Sequence, residues 1–282
     1  MMLVLSKILI TFASVCLLAS VAERLGPRYA GLLAGFPLGT AIVLYFFALQ
    51  QGDEFAGSSA VFTLAGLSGA LAFAWGYWQV TRRRPQLSFL PVAAFVALLC
   101  FVGAIWLLQH LPANRIASLA VTLIAILVFH RLQRGIEPCH KIDPAAQPKH
   151  GHSFLSRSFL NPVVLNHPIA SLVFRAALAT LSVVLITAMG NWLAPSQAGL
   201  LAAFPVSFFP LMLLLHIRYG AQVLAASIRH YPTGMGALLS YCLTVSYSYP
   251  YLGRDIGTLV ALVMACIYLL LNHYFSQAQS RR

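Results

Sequence analysis

The chain has 282 residues, of which 60% are hydrophobic and 9% charged, and its 18 Lys and Arg outweigh 6 Asp and Glu to give a net charge of +12. A soluble domain carries roughly 25% charged residues, so this composition excludes an ordinary soluble protein. The apolar residues come in runs of about 20, the length of a helix that spans a bilayer, which also excludes a β-barrel with its short alternating segments.

In chain order, the first apolar run predicts a helix over 3–22. It ends in Ser20-Val21-Ala22, the small-residue pattern of a signal-peptidase site, but its partner in a later repeat argues for a retained span. A second helix is expected over 30–50 and contains Pro37. A third, over 56–80, carries Gly57, Gly66, Ser68, Gly69 and Gly76, small residues that let membrane helices approach closely. Trp75, Tyr77 and Trp78 mark an interfacial belt, and Arg82-Arg83-Arg84-Pro85 stops the helix. A fourth helix over 88–109 and a short fifth over 115–131 follow. From His130 to His167 the chain turns polar and proline-rich, a long loop. Four more helices are expected over 169–189, 198–217, 222–247 and 256–275.

One stretch occurs twice. Pro27 to Pro37 reads PRYAGLLAGFP and Pro195 to Pro205 reads PSQAGLLAAFP, with eight of eleven positions identical at an offset of 168 residues. At the same offset Lys7, Ser14 and Val15 answer Arg175, Ser182 and Val183. Helices 6–9 thus answer helices 1–4, and the fifth is unpaired. An odd number of spans between repeat starts turns the second copy upside down, a recurrent plan of secondary transporters whose sites lie near the midplane. The expected fold is an all-α polytopic membrane protein with about nine transmembrane helices. It is organised as a first four-helix repeat (1–110), a linking transmembrane helix (111–132), a cytoplasmic loop (133–168) and a second, inverted four-helix repeat (169–282).

The charges give an orientation. With nine spans, one face collects thirteen Lys and Arg, among them Arg82, Arg83, Arg84, Arg131 and Arg218, and the other only Lys7, Arg115 and Arg254. The positive-inside bias then puts the N-terminus in the periplasm and the C-terminus in the cytoplasm. Basic loops account for the excess of cations, and no nucleic-acid partner is expected. The expected partners are the bilayer and an unidentified small-molecule or lipid substrate, with a homodimer left open.

Several residues are candidates for a substrate site. Pro37 and Pro205, each after Phe36 or Phe204, interrupt the second and seventh helices; a broken helix frees backbone groups that bind substrate in transporters. Lys7 and Arg175 start the first helix of each repeat, where they either attract an anion or snorkel to the headgroups. Arg229 and His230 fall about two turns into the eighth helix, where the first repeat has Val61 and Phe62; they are either a site feature or a sign that this helix starts later. No carboxylate falls in the middle of a span, which speaks against organic-cation export and for an anionic or amphiphilic solute. Gln79, Asn191, His216 and His273 read as interfacial. Cys139, His140, His150 and His152 lie in the polar loop, where metal-ligand spacing competes with a solvated linker. No cofactor, metal site or catalytic constellation is expected, and the five Cys show no disulfide framework.

The repeat unit resembles the small four-span GlpM-like bacterial inner-membrane proteins of unknown function. The resemblance rests on the basic residue at the start of the first helix (Lys7, Arg175), the small-residue run into Phe-Pro (Ala30 to Pro37, Ala198 to Pro205) and a Gly ending the second helix (Gly52, Gly220). It implies a bacterial cytoplasmic-membrane location and brings no substrate. In plan the opposed four-span copies are also similar to small multidrug-resistance transporters, without their first-helix carboxylate. The sequence therefore leads to the expectation of a secondary transporter that moves a small anionic or amphiphilic solute, such as a lipid-linked phosphate, by alternating access. The alternative is a non-transporting accessory subunit of an envelope polysaccharide or lipid system.

Overall fold

The computed structural model describes residues 2–25, 36–133 and 167–280. The described residues are helical apart from short turns. Helix α1 is Met2–Leu25, α2 Leu38–Gln51, α3 Asp53–Arg83, α4 Leu90–Leu108, α5 Arg115–Leu132, α6 Pro168–Gly190, α7 Pro195–Ala202 and α8 Phe208–Ser280. The sequence sets most of these ends. Asp53 and Glu54 lie in the first turn of α3 and Arg82 and Arg83 in its last, each sign at the end where the helix dipole favours it. Asn114 caps α5 by accepting a hydrogen bond from the backbone N–H of Ile116 at 2.9 Å, as a good N-cap residue does.

Among the described residues, five helices are long and apolar enough to cross a membrane: Asp53–Arg83, Leu87–Leu108, Arg115–Leu132, Ile169–Gly190 and Phe208–Phe275. Two shorter apolar helices are Leu5–Leu17 and Leu38–Gln51. The difference from the nine expected spans has a physical source. Straight, the 73 residues of α8 would measure about 110 Å, more than three times the ~30 Å apolar core of a bilayer. The backbone instead leaves helical geometry at Gly220 (φ 78°, ψ −177°) and Gly253 (φ 73°, ψ 169°). These breaks divide α8 into the segments 208–219, 221–252 and 254–280. Helix α7 is only eight residues long, because the chain turns at Ala203–Ser207 where the sequence pattern predicted a continuous helix to 217.

Helix α3 is the centre of the bundle. It packs against α2, α4, α5, α7 and α8, and its small residues permit this. A methyl group on Gly66 would meet Ala203 Cβ at 2.7 Å, and one on Gly199 would meet the Ser59 carbonyl oxygen at 2.1 Å. Around α3, the outer helices carry the large exposed apolar side chains, including Phe95, Leu107, Ile116, Leu127, Leu185 and Leu270. Apolar surface on that scale belongs against lipid. The protein is a polytopic α-helical membrane protein.

Polar contacts tie the two halves of the sequence together at one end of the bundle. Gln51 Nε2 donates to the Gly190 carbonyl at 2.8 Å. Asp53 pairs with Arg254 at 3.7 Å, and the Tyr45 hydroxyl donates to Asp255 at 2.8 Å. Arg115 reaches Ser246, its Nε 3.1 Å from Oγ and Nη2 2.8 Å from the carbonyl, with its guanidinium 4.2 Å from the centre of the Tyr247 ring.

Candidate functional site

The two Phe-Pro sequences meet. Phe36, Pro37, Phe204 and Pro205 line one recess, with Gly39, Thr40, Leu67, Ala203, Val206, Ser207, Phe208, Tyr231 and Leu238. Its empty space is ≈ 330 Å³, counting the space at its open side.

The same backbone turn is built on both sides of it. The Leu38 N–H donates to the Phe36 carbonyl at 2.8 Å and the Val206 N–H to that of Phe204 at 2.7 Å. The Ala41 N–H donates to Pro37 O and the Phe209 N–H to Pro205 O, both at 2.8 Å. Each pair is offset by 168 residues. The cause is local: proline sets its own φ near −65° and offers no N–H, so the chain folds back at Phe-Pro and starts a new helix beyond it. The starts of α2 and α8 therefore both abut the cavity. Four residues there, Gly39, Thr40, Ser207 and Phe208, have no hydrogen bond from their backbone N–H among the described residues.

The side chains add two hydroxyls and an aromatic wall. Thr40 is 5% exposed, and the buried Ser207 Oγ has no partner among the described residues. Ser207 Oγ lies 3.3 Å from where a Cβ on Gly39 would sit. Phe208 stacks on Tyr231 with ring centres 3.9 Å apart and planes 4° from parallel. Phe204 is held edge-on by Phe73, Phe101 and Phe209.

The other candidate residues lie elsewhere. Lys7 sits at the α1–α6 interface, 3% exposed, so the protein covers it and it does not snorkel. Its Nζ donates to Thr187 Oγ1 at 2.9 Å and stands 5.6 Å from the centre of the Phe46 ring. Arg175 is half-buried on α6. Arg229 and His230 are exposed and do not line the cavity; their neighbour Tyr231 does. His216, expected at the interface, is 1% exposed, with Nδ1 3.0 Å from the Tyr77 hydroxyl. The loop residues Cys139, His140, His150 and His152, and the first-copy residues from Pro27 to Gly35, lie outside the described residues. Among the described residues no three His, Cys, Asp or Glu side chains come together as a metal site would require.

Sequence reasoning missed Gly39, Thr40, Ser207 and Tyr231. A signal was present: Pro37-Leu38-Gly39-Thr40 and Pro205-Val206-Ser207 combine proline with small and hydroxyl residues, as helix starts do. Reading Pro37 and Pro205 as kinks inside a helix hid it.

Compared with known proteins, the chain matches no family, and neither a curated protein nor a solved structure is similar to it.

Proposed function

We propose that the protein is a secondary transporter built from two inverted four-helix repeats, with its solute site in the cavity between the two Phe-Pro turns. The observation that carries this is the duplication of the turn, with the same hydrogen bonds at an offset of 168 residues, and the presence of both copies in the lining of one cavity. Gly39 and Ser207 are the same position in the two copies, and they abut. A pseudo-twofold axis through that contact would relate the halves, and the fold would then reach two conformations of like energy, one open to each face.

Further support comes from α1 and α6, the first helices of the two copies. Lys7 near the start of one touches Thr187 near the end of the other, so they run antiparallel, as inverted copies must. In this reading the nine spans are α1, α2, α3, α4, α5, α6, α7 with 208–219, and the segments 221–252 and 254–280. The end bearing Lys7, Asp53, Arg115 and Arg254 faces the periplasm and the end bearing Arg82–Arg84 the cytoplasm of a bacterial inner membrane. The solute is small and anionic or amphiphilic. The resemblance of each copy to GlpM-like four-span proteins belongs to the same proposal.

Flux into proteoliposomes tests it. The purified protein should move at least one solute from a panel of small anionic metabolites and phosphates. Gly39→Val, whose first added carbon would meet Val206 Cβ at 2.7 Å, should abolish that flux in protein that still folds. No flux above that of empty liposomes across the panel would overturn the reading in favour of an accessory subunit.

A further inference from the structure

The cavity's chemistry narrows the ligand. Helix starts leave their first backbone N–H groups without an intrahelical partner, and residues that line this one space carry four of them: those of Gly39, Thr40, Ser207 and Phe208, which have no hydrogen bond among the described residues. They stand at the starts of two separate helices, α2 and the 208–219 segment of α8. Each helix start is equivalent to roughly half a positive charge, so two converging on one point offset about one negative charge. Two hydroxyl groups reinforce them. Thr40 is 5% exposed with no hydrogen-bond partner among the described residues, and Ser207 Oγ is buried and unpartnered. Among the described residues no Lys, Arg, His, Asp or Glu lines the space. A cation would meet no carboxylate there, and a dianion would lack a compensating side-chain charge.

We propose that the cavity between the Phe36-Pro37 and Phe204-Pro205 turns binds a small monovalent anion, held by the backbone N–H groups of Gly39, Thr40, Ser207 and Phe208 and by the Thr40 and Ser207 hydroxyls. The inference rests on the transport reading for the role of the site, whereas binding is measured without transport. The donors are related in pairs, Gly39 with Ser207 and Thr40 with Phe208 at an offset of 168. An anion at their centre would accept bonds from both halves at once and would be released to either side by parting them. Phe36, Phe204, Phe208 and Tyr231 give the recess an aromatic lining, and a low-polarity wall of this kind strengthens each N–H contact.

The full-length protein in detergent, kept in sodium sulfate, provides the test. Sulfate is replaced stepwise at constant ionic strength by chloride, nitrate or acetate, and the thermal unfolding midpoint is followed. At least one monovalent anion should raise the midpoint along a saturating curve, as a ligand of the folded state does. The chloride and nitrate arms report an inorganic anion, and the acetate arm a carboxylate head. Thr40→Val and Ser207→Ala each remove one hydroxyl and should weaken the apparent affinity about tenfold, the worth of one hydrogen bond to a charged group. The comparison is of concentration dependence, so a lower starting midpoint in a variant does not obscure it. Three results overturn the proposal: no saturating rise with any monovalent anion, a fall in midpoint as sulfate is removed, or the same concentration dependence in the wild type and both variants. Saturable binding without flux in proteoliposomes would leave the anion site standing and remove the transport reading.

Discussion

Lys7 Nζ donates to Thr187 Oγ1 at 2.9 Å inside the α1–α6 interface, and the Thr187 hydroxyl in turn donates to the Val183 carbonyl at 2.7 Å. Lys7 is almost completely covered, and its other contact is the Phe46 ring face. A buried ammonium depends on every acceptor it has. Thr187→Val keeps the shape and removes the acceptor, and should cost about 2 kcal/mol. Lys7→Met removes the charge along with its need and should cost less, since replacing a buried charged group by an apolar one of like volume is often neutral. Thermal unfolding of both variants in detergent checks the order. A Lys7→Met protein less stable than Thr187→Val would mean that the last turn of α6 compensates the ammonium through its dipole.

The closest backbone approach in the bundle gives a second prediction. A Cβ on Gly199 would stand 2.1 Å from the Ser59 carbonyl oxygen and 3.0 Å from Phe62 Cβ, and Thr63 Oγ1 lies 2.9 Å from the Gly199 carbonyl. Gly199→Ala must therefore push α7 off α3, at a cost of about 1–3 kcal/mol. Gly103 has nothing within 4 Å of its Cβ position, so Gly103→Ala should stabilise by about 0.5–1 kcal/mol through helix propensity alone. Unfolding midpoints of the two variants should move in opposite directions.

Membrane class, most helix positions and the duplicated string were legible because each rests on a strong local signal: apolar runs of spanning length, charged stops such as Arg82–Arg84, and eleven residues written twice. The number of spanning helices was less so, because periodicity cannot distinguish a kinked helix from two short ones. Pro205 ends one helical segment, whereas Pro232 and Pro250 are carried inside α8. Of the residues that line the recess, Phe36, Pro37, Phe204 and Pro205 were singled out through the repeat. Thr40 and Ser207 were not, since a lone hydroxyl residue in an apolar run reads as packing. Lys7, Arg229 and His230 drew attention as charges or near-charges in apolar sequence, but convergence on the cavity depends on tertiary packing that such a signal does not carry.

Gly52 and Gly220 carry the third prediction. They stand at the same position in the two copies, and both have positive φ, 97° and 78°. Neither has an atom within 4 Å of a built Cβ, so space is not the constraint. With ψ 161° and ψ −177° both lie in the extended positive-φ region that essentially only glycine adopts, where another residue pays about 1–3 kcal/mol. Gly52→Ala and Gly220→Ala should each lower stability by that amount, and Asn should cost as much as Ala, because its tolerance is for the left-handed helical region. Unfolding midpoints of the Ala variants equal to that of the wild type would show that the turns relax to another backbone shape.

The last prediction fixes the frame on which the transport proposal depends. Asp53 starts α3, next to Gly52 and paired with Arg254, while Arg83 ends it. The helix has 31 residues, about 46 Å at 1.5 Å per residue, long enough to cross the ~30 Å apolar core and place each end in water. In protein whose native cysteines are replaced, Asp53→Cys should react with a membrane-impermeant thiol reagent added to intact cells from the periplasmic side. Arg83→Cys should react only after the inner membrane is opened. The Asp53–Arg254 pair is about one-third exposed at each partner, so losing it costs at most about 1 kcal/mol and leaves the fold fit for the assay. Extending the assay to Arg254→Cys joins the two copies: it should label with Asp53→Cys, since the two side chains touch. Labelling of Asp53→Cys and Arg83→Cys from one side would remove the span through α3, and with it the inverted arrangement of the two copies that the transport proposal requires.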